Sequence, residues 1–434
     1  MAKINLKNPV TNLTTHEGAQ AKRITPYQEL RRSVCACLLW EGTFYESGES
    51  IADRIKELIG KCKLEEVAAL AIEAREKFKL RHIPLLLCRE LARNKSLKAE
   101  TLERVIQRAD ELTEFLAIYW KEGRCPLSAQ VKKGLAKAFT KFSAYDLAKY
   151  NQDGAVKLRD VLFLTHAKPK NEEQVAVWKR LVDGTLESPD TWEVELSAGK
   201  DKKPTWERLI QEKKLGALAL LRNLRNMKEA KVDMTLVKNA LAEIKVDRVL
   251  PYRFIAVARY APNLEPELEQ AMFKCAFGLE KLKGNTVLLI DVSGSMENPL
   301  SGKSDLTCID AACGLAILCR EICESVEVYT FSDSIVQIPP RRGFALRDAI
   351  NNSQPHHSTK LGAAVNTLNA KVEFDRLIVI TDEQSHDNVS GAKKQGYMIN
   401  VSTNKNGVGY GSWVHIDGFS EACVRFIQEY EGLK

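Results

Sequence analysis

The 434-residue chain contains no run of about 18 consecutive apolar residues, and its first residues, MAKINLKNPVTNLTTHEG, lack the apolar centre of a signal peptide. These absences predict a cytoplasmic protein without a membrane partner. The 11 cysteines include no Cys-x-x-Cys pair, which argues against a zinc knuckle and against a disulfide framework. We therefore expect a reduced, globular protein whose cysteines serve as small buried side chains.

Charge is distributed unevenly along the chain. From Gly284 onward, 13 Lys and Arg residues stand against 18 Asp and Glu, whereas the preceding part has 51 against 39. A chain of this length predicts at least two domains, and we place them at residues 1–283 and 284–434. A basic domain beside an acidic one is typical of proteins that bind nucleic acid or another polyanion, although mutual docking of the two domains would produce the same asymmetry.

The basic part is predicted to be helical almost throughout. Apolar residues recur three and four positions apart in segments such as LEEVAALAIEAREKFK and TLERVIQRADELTEFLAIYW, and Gly, Pro or Asn stands near many segment ends. We find roughly a dozen such segments, without a heptad run or an exact repeat. They predict an irregular α-solenoid of the HEAT kind, whose stacked pairs can line a charged concave surface.

The stretch LLIDVSGSMENPLSGKS contains fragments of two well-known loops and completes neither. A phosphate-binding loop requires glycine where Glu297 stands, and a hydrolase nucleophile elbow requires glycine where Asp291 stands. What remains is Asp291, Ser293 and Ser295, directly after the apolar run TVLLI that predicts a buried parallel strand. Alternate oxygen-bearing side chains at the carboxyl end of such a strand predict a ligand site, and oxygen ligands favour Mg²⁺ or Mn²⁺ over zinc.

Two further segments complete this pattern. FDRLIVITDEQSH is a second predicted buried strand that ends in Asp382, and Thr359 precedes a helix-like run in HHSTKLGAAVNTL. This order, D-x-S-x-S followed by a distant Thr and then Asp, resembles the von Willebrand factor A (vWA) domain with its metal-ion-dependent adhesion site. The resemblance covers residues 284–434 and implies a Rossmann-like fold with one coordination position open to a partner's oxygen. The metal set that it implies is Asp291, Ser293, Ser295, Thr359 and Asp382.

A segment in the basic part, LAKYNQDGAVKLRDVLFLTHAKPK, gathers basic, amide, aromatic and histidine side chains around a predicted turn and helix. A helix that begins near Val156 would place Arg159 and His166 on one face. Lys168 and Lys170 would follow its C-terminus, where the helix dipole favours cations. On residue types alone, a solvated helix with a capping histidine is the plainer interpretation.

The neighbouring segment KKGLAKAFTKF places Lys133, Lys137 and Phe142 near one helical face, and Lys141 lies one turn beyond Lys137. The three lysines share the basic character of this segment. They are further candidates for phosphate contacts, and an ordinary solvated basic face is an equally good interpretation.

Helical repeats followed by a C-terminal A domain resemble the TROVE-module family, to which the Ro proteins belong. The matching segments are LRRSVCACLLWEGTFYESGE, KYNQDGAVKLRDVLFLTHAKP and LGALALLRNLRNM. The resemblance implies a helical ring closed by the A domain, with a basic hole that admits single-stranded 3′ ends of misfolded noncoding RNA. Lys149 and His166 match positions that face RNA at the hole, and Arg159 matches a basic position of the same helix. Phe163 departs from the family pattern, which often has Arg there.

The resemblance also implies a function. In this family the outer surface binds small Y or Y-like RNAs, and an exoribonuclease can be tethered. The protein then acts as a scaffold in RNA quality control without catalysis of its own. We also expect a monomer. One alternative is a metal-dependent protein-docking module with no RNA role, which salt-dependent RNA binding would distinguish. Another is a nuclease, but two-metal nucleases need more carboxylates than Asp291 and Asp382 provide, and His386 is expected to be a loop residue at a helix start rather than a base.

Overall fold

The computed structural model describes residues 13–35, 47–151, 153–246, 249, 251–302, 306–402 and 404–432. The chain folds into two compact units. We call Ala52–Lys274 the helical unit, and Met1–Ile51 together with Cys275–Lys434 the sheet unit. The boundary between residues 283 and 284 stays a prediction about the sequence; the contacts show in addition that the segment up to Ile51 packs with the C-terminal part.

The described residues before the sheet form helices almost throughout, as the apolar spacing predicts. These helices are α1 (Pro26–Cys35), α2 (Gly48–Ile59), α3 (Leu64–Glu76), α4 (His82–Arg93), α5 (Ala99–Val105), α6 (Asp110–Tyr119), α7 (Ala129–Phe139), α8 (Ala144–Tyr150), α9 (Leu158–Thr165), α10 (Glu172–Asp183), α11 (Trp192–Ser197), α12 (Lys202–Gln211), α13 (Ala217–Glu229), α14 (Met234–Ala242), α15 (Tyr252–Tyr260) and α16 (Glu265–Phe273).

Helices of the helical unit pack on their next-but-one neighbours. α3 contacts α5, α5 contacts α7 and α7 contacts α9, while α4 contacts α6; towards the end of the unit α12 contacts α14 and α14 contacts α16. Gly134 permits the close approach of α7 to α5, because a Cβ atom there would lie 2.9 Å from the Ala99 carbonyl oxygen. This stacking of every second helix into a layer confirms the predicted HEAT-like class.

The sheet unit has six strands and four further helices among the described residues. They are β1 (Leu282–Asp291), α17 (Cys308–Ile322), β2 (Cys323–Phe331), β3 (Ile335–Ile338), α18 (Gly343–Asn351), α19 (Leu361–Lys371), β4 (Arg376–Thr381), β5 (Gln395–Asn400), β6 (Val414–Asp417) and α20 (Ala422–Gly432). The strand order is β3-β2-β1-β4-β5-β6, and every neighbouring pair is parallel except β2 with β3.

Strand β1 lies in the middle of this sheet because both of its faces are apolar. Val287 and Leu289 pack into a core with Leu361 of α19, and Leu288 is fully buried as well. Helix α17, which contacts β1, begins with a capping box in which the Thr307 hydroxyl accepts from a backbone amide. The predicted α/β fold with buried parallel strands is therefore confirmed, and the carboxyl ends of β1 and β4 are neighbours.

Within the described ranges, no helix is both long enough and apolar enough to cross a membrane. The cysteines found there are free thiols, and most of them are buried. Part of the motif LRRSVCACLLWEGTFYESGE falls on residues 36–46, outside the described residues, as do Lys303 and Ser304 at the end of the rejected phosphate-loop pattern.

Candidate functional sites

Asp291 is the last residue of β1, and the other four residues of the predicted metal set lie in three segments, which follow β1, precede α19 and follow β4. The loop after β1 touches the loop before α19, since the Gly294 amide donates to the His357 carbonyl oxygen at 2.9 Å. The loop after β4 touches the same segment, since the His386 amide donates to the Thr359 carbonyl oxygen at 2.9 Å. The fold thus gathers distant segments at one edge of the sheet, while the role of each residue as a metal ligand stays a prediction.

Asp291 is the central side chain of this edge. Its Oδ1 accepts hydrogen bonds from the Ser293 amide at 2.9 Å and the Ser293 hydroxyl at 2.6 Å, and its Oδ2 accepts from the Thr381 hydroxyl at 2.6 Å. The Ser293 and Ser295 hydroxyl oxygens are 3.3 Å apart. Alternate residues after β1 therefore bring their oxygens together, as the D-x-S-x-S spacing predicts.

Two buried carboxylates, Asp291 and Asp382, repel each other at this edge of the sheet. Asp291 and Asp382 are both buried, and burial, followed by the charge of Asp382, raises the pKa of Asp291 to about 7. Among the described residues, no Lys, Arg or His side chain forms an ion pair with Asp291. A divalent cation would offset the repulsion between two buried carboxylates, which neutral hydroxyl donors cannot do.

The donor chemistry agrees with a hard cation. In the described part of the chain no three His, Cys, Asp or Glu side chains gather as a metal cluster. The predicted set has two carboxylates and three hydroxyls, so hydroxyl oxygens would have to supply the remaining protein ligands. Such an all-oxygen set fits Mg²⁺ or Mn²⁺ and does not fit zinc.

Four of the predicted RNA-contacting residues lie on α8, on α9 and in the segment that follows α9, while the other three lie on α7 and just after it. Lys149 is half-buried on α8, with its Nζ 5.7 Å from the centre of the Tyr150 ring. Arg159 is exposed on α9, and Lys168 is exposed after it. The prediction that Arg159 and His166 share a helical face is wrong, because α9 ends at Thr165 and His166 is its left-handed C-cap, with φ +51°.

The basic side chains that are predicted to contact RNA differ in whether they form ion pairs within the protein. Within the described residues, Arg159, His166 and Lys168 form no ion pair, and Lys133 is exposed without one. Lys137, in contrast, lies 2.8 Å from a Glu100 carboxylate oxygen.

Lys141 is held more tightly still. Its ammonium group donates to the carbonyl oxygens of Glu103 and Ile106 near the end of α5, and burial lowers its pKa. The helix spacing that groups Lys133, Lys137 and Lys141 therefore does not reveal that two of them are held by α5 and its neighbours. Their RNA contacts stay a prediction, and the residues around α9 are the stronger candidates.

An open cleft of about 480 Å³ lies between α9 and α10. Its lining includes Phe163, His166, Trp178 and Lys179. Phe163 is 59% exposed, which is unusual for a large apolar side chain, and the buried indole Nε1 of Trp178 has no hydrogen-bond partner among the described residues. The cleft thus offers an exposed aromatic ring next to a histidine and a lysine.

A buried polar network that the sequence did not predict lies next to Asp382. Arg32 of α1 pairs with Glu383, and the Glu383 Oε1 lies 2.6 Å from the His415 Nε2. The His415 Nδ1 is 3.3 Å from Asp417, and all four side chains are buried. The only signal in the sequence was that Glu383 directly follows Asp382. His386 lies in a loop, as predicted, but this loop leads from β4 to β5 and no helix starts there.

Comparisons with known proteins agree with this architecture. The TROVE domain family model matches residues 177–277, and the Ro60 vWA domain family model matches residues 285–394. Among solved structures, the crystal structure of the Deinococcus radiodurans RO (RSR) protein is similar, with a TM-score of 0.61 and 19% sequence identity over 93% of this chain and 100% of that chain. No curated protein sequence matches the chain. At 19% identity, this structural similarity is evidence for a shared fold alone.

Proposed function

We propose that the chain is a Ro-like TROVE protein with a vWA domain, as the two matching domain models support, and that it binds noncoding RNA through the helical unit. The RNA would be a small Y-like RNA or the single-stranded 3′ end of a misfolded RNA, and the protein would act in RNA quality control as a scaffold without catalysis. A tethered exoribonuclease would then process what the scaffold presents.

The observation that carries this proposal is the set of exposed cations around α9 that form no ion pair among the described residues. Arg159, His166 and Lys168 are available for phosphate oxygens, whereas Lys137 is paired with Glu100 and Lys141 donates to backbone carbonyl oxygens. Cations of this kind neutralise phosphates without reading sequence. The exposed ring of Phe163 adds a surface on which an unpaired base can stack, an interaction that contributes about 1–3 kcal/mol per base.

A free 3′ end suits such a site better than a duplex does. A duplex stacks its bases on each other, whereas a single strand can turn a base onto an aromatic ring while its phosphates meet the surrounding cations. Well-folded RNAs keep their ends within stems, so a preference for single strands would report misfolding.

The proposal is tested with the double variant Lys149→Ala, His166→Ala. We expect its affinity for a stem-loop RNA with a single-stranded 3′ tail to fall roughly tenfold, the factor that corresponds to about 1.4 kcal/mol. The slope of affinity against salt concentration should become shallower, because fewer phosphates are neutralised. Fluorescence anisotropy at several salt concentrations measures both quantities.

The matched control is Lys137→Ala, which removes a lysine of the same unit that already has an acidic partner. It should leave RNA affinity within about twofold. Equal affinities of the wild type and the double variant would argue against a binding role for Lys149 and His166. An equal loss in the control would mean that overall charge, rather than this site, determines binding.

We also propose that the edge formed by β1 and β4 holds one Mg²⁺ or Mn²⁺ ion. The proposed ligands are Asp291, Ser293, Ser295, Thr359 and Asp382, and the pair of buried carboxylates supports the proposal. The ion would supply a Lewis-acidic position that accepts a carboxylate oxygen from a partner protein. If the protein bound no RNA, docking of an acidic partner at this ion would become its main function.

A further inference from the structure

The segment before α1 lies across the loop that follows β4. We call residues 14–22 the N-terminal strap. The Thr15 hydroxyl donates to the Ser385 carbonyl oxygen at 2.8 Å, and the His16 amide donates to the Gln384 side chain at 2.7 Å. The Gln20 amide donates to a side-chain oxygen of Asn388 at 3.0 Å. The strap therefore follows this loop over several residues, starting two positions after Asp382.

A chain of hydrogen bonds leads from the strap to Thr359. The carboxylate of Glu17 lies 2.9 Å from the Nε2 of His386, and the Nδ1 of the same ring accepts from the Thr359 amide at 3.0 Å. Because Nδ1 acts as an acceptor, the ring proton lies on Nε2, and the Nε2–H group donates a hydrogen bond to the Glu17 carboxylate. Glu17 thus fixes the tautomer and the orientation of the ring that holds the Thr359 backbone.

A second connection leads from α1 to the residue next to Asp382. Arg32 is fully buried, pairs with Glu383, and donates through Nε to the Asn404 carbonyl oxygen at 2.6 Å. Glu383 has a left-handed backbone, with φ +63°, which is uncommon for a residue other than glycine. Gly409 leaves room for this side chain, since a Cβ atom there would lie 2.0 Å from its Oε1.

Both connections end on backbone that carries proposed metal ligands. Metal ligands bind well when partners outside the coordination sphere hold them in place, and loss of such a partner typically lowers metal affinity by about 10-fold to 100-fold. The sheet alone does not supply this support, because Thr359 and Asp382 both lie in loops beyond the ends of regular elements. The support comes from a segment that precedes them by more than 300 residues in sequence.

We propose that the N-terminal strap and α1 position Thr359 and Asp382 for the metal ion, so that metal affinity depends on the docked strap. Glu17, Thr15 and Arg32 are positioning residues and do not touch the ion. The inference rests on the proposed metal site. Since coupling between two binding events is reciprocal, bound metal must in turn stabilise the docked strap.

The test uses the full-length chain and Mn²⁺, with binding followed by electron paramagnetic resonance of the free ion. Glu17→Ala removes the acceptor for His386 at a partly exposed position, so that the fold is preserved. We expect its Mn²⁺ affinity to fall about tenfold. Glu17→Gln keeps an acceptor oxygen and should stay within about twofold of the wild type.

Thr15→Val probes the other end of the strap by removing the hydroxyl that donates to Ser385, and it should also weaken Mn²⁺ binding. Two matched controls lie elsewhere in the sheet unit. Glu373→Ala removes an exposed partner of Lys393, and Thr367→Val removes a hydroxyl that bonds within α19. Neither control should change Mn²⁺ affinity.

Stabilisation of the strap by bound metal can also be measured, and a strap with a purely structural role would not show it. Hydrogen exchange measured by mass spectrometry should show slower exchange in the strap when Mg²⁺ is added to the wild type, and no such change in Asp291→Asn. If the wild type binds Mn²⁺ and all strap variants bind it equally well, the strap has no positioning role and the metal site stands without it. If the wild type binds no Mn²⁺, the metal site and the inference built on it are both wrong.

Discussion

Replacing Arg32 by methionine should destabilise the sheet unit strongly. The guanidinium is fully buried and pairs with the fully buried Glu383. Removing one partner of a buried ion pair typically costs about 3–5 kcal/mol, because the other charge is left without compensation. His415 remains 2.6 Å from Glu383, so part of this charge stays compensated and we expect about 3 kcal/mol, the lower end of that range.

This loss converts into a measurable shift in melting temperature. For a unit of about 200 residues, 1 kcal/mol corresponds to roughly 2–4 °C, so the transition of the sheet unit should fall by about 6–12 °C. Differential scanning calorimetry is the suitable assay, because it can resolve the transitions of two units that unfold separately. Adding Glu383→Gln to Arg32→Met should recover part of the loss, since it removes the uncompensated charge.

The matched control is Arg342→Met, which makes the same substitution at an exposed arginine that pairs with Glu321. Exposed pairs contribute about 0–1 kcal/mol, so this variant should melt within about 3 °C of the wild type. Equal melting temperatures of Arg32→Met and Arg342→Met would refute the argument that burial gives the Arg32 pair its importance.

Two further predictions concern the sheet unit. Asp291→Asn should abolish Mn²⁺ binding in a titration and leave RNA affinity within about twofold; an equal loss of both would mean that the ion maintains the whole structure. Burial disfavours the charged His415 ring, but Asp417 and Glu383 raise its pKa from 6.5 to about 9. The stability that this proton contributes is complete below pH 6.5 and is lost as the pH rises through about 9. The melting temperature should therefore fall over this interval, by the equivalent of at most about 3 kcal/mol. The fall should be smaller in His415→Gln.

Local patterns in the sequence were sufficient to predict most of the fold. The apolar run before Asp291 became the middle strand, and the helical periodicities became the stacked helices of the helical unit. Both patterns depend on residues that are close in sequence, and they can therefore be recognised without a structure. Strand β3 was missed because its four residues, IVQI, are too few to show a period. The end of α9 was misplaced because a left-handed residue other than glycine, here His166, gives no strong signal.

The candidate sites divide in the same way. The spacing of Asp291, Ser293 and Ser295 identified one edge of the sheet, since alternation along an extended chain is a local property. No local property could show that Lys141 donates to carbonyl oxygens of a segment more than 30 residues earlier. Nor could it show that Arg32 reaches Glu383, because pairs so far apart in sequence depend on how whole elements pack.

The most direct test of an RNA-binding role compares two RNAs that share one stem-loop, of which only the first has a single-stranded 3′ tail. The purified protein is titrated with each at low and at moderate salt. We predict that the tailed RNA binds more tightly and that its affinity falls as salt rises. Equal affinity for both RNAs would contradict recognition of a free 3′ end, and binding to neither would contradict the RNA-binding role itself.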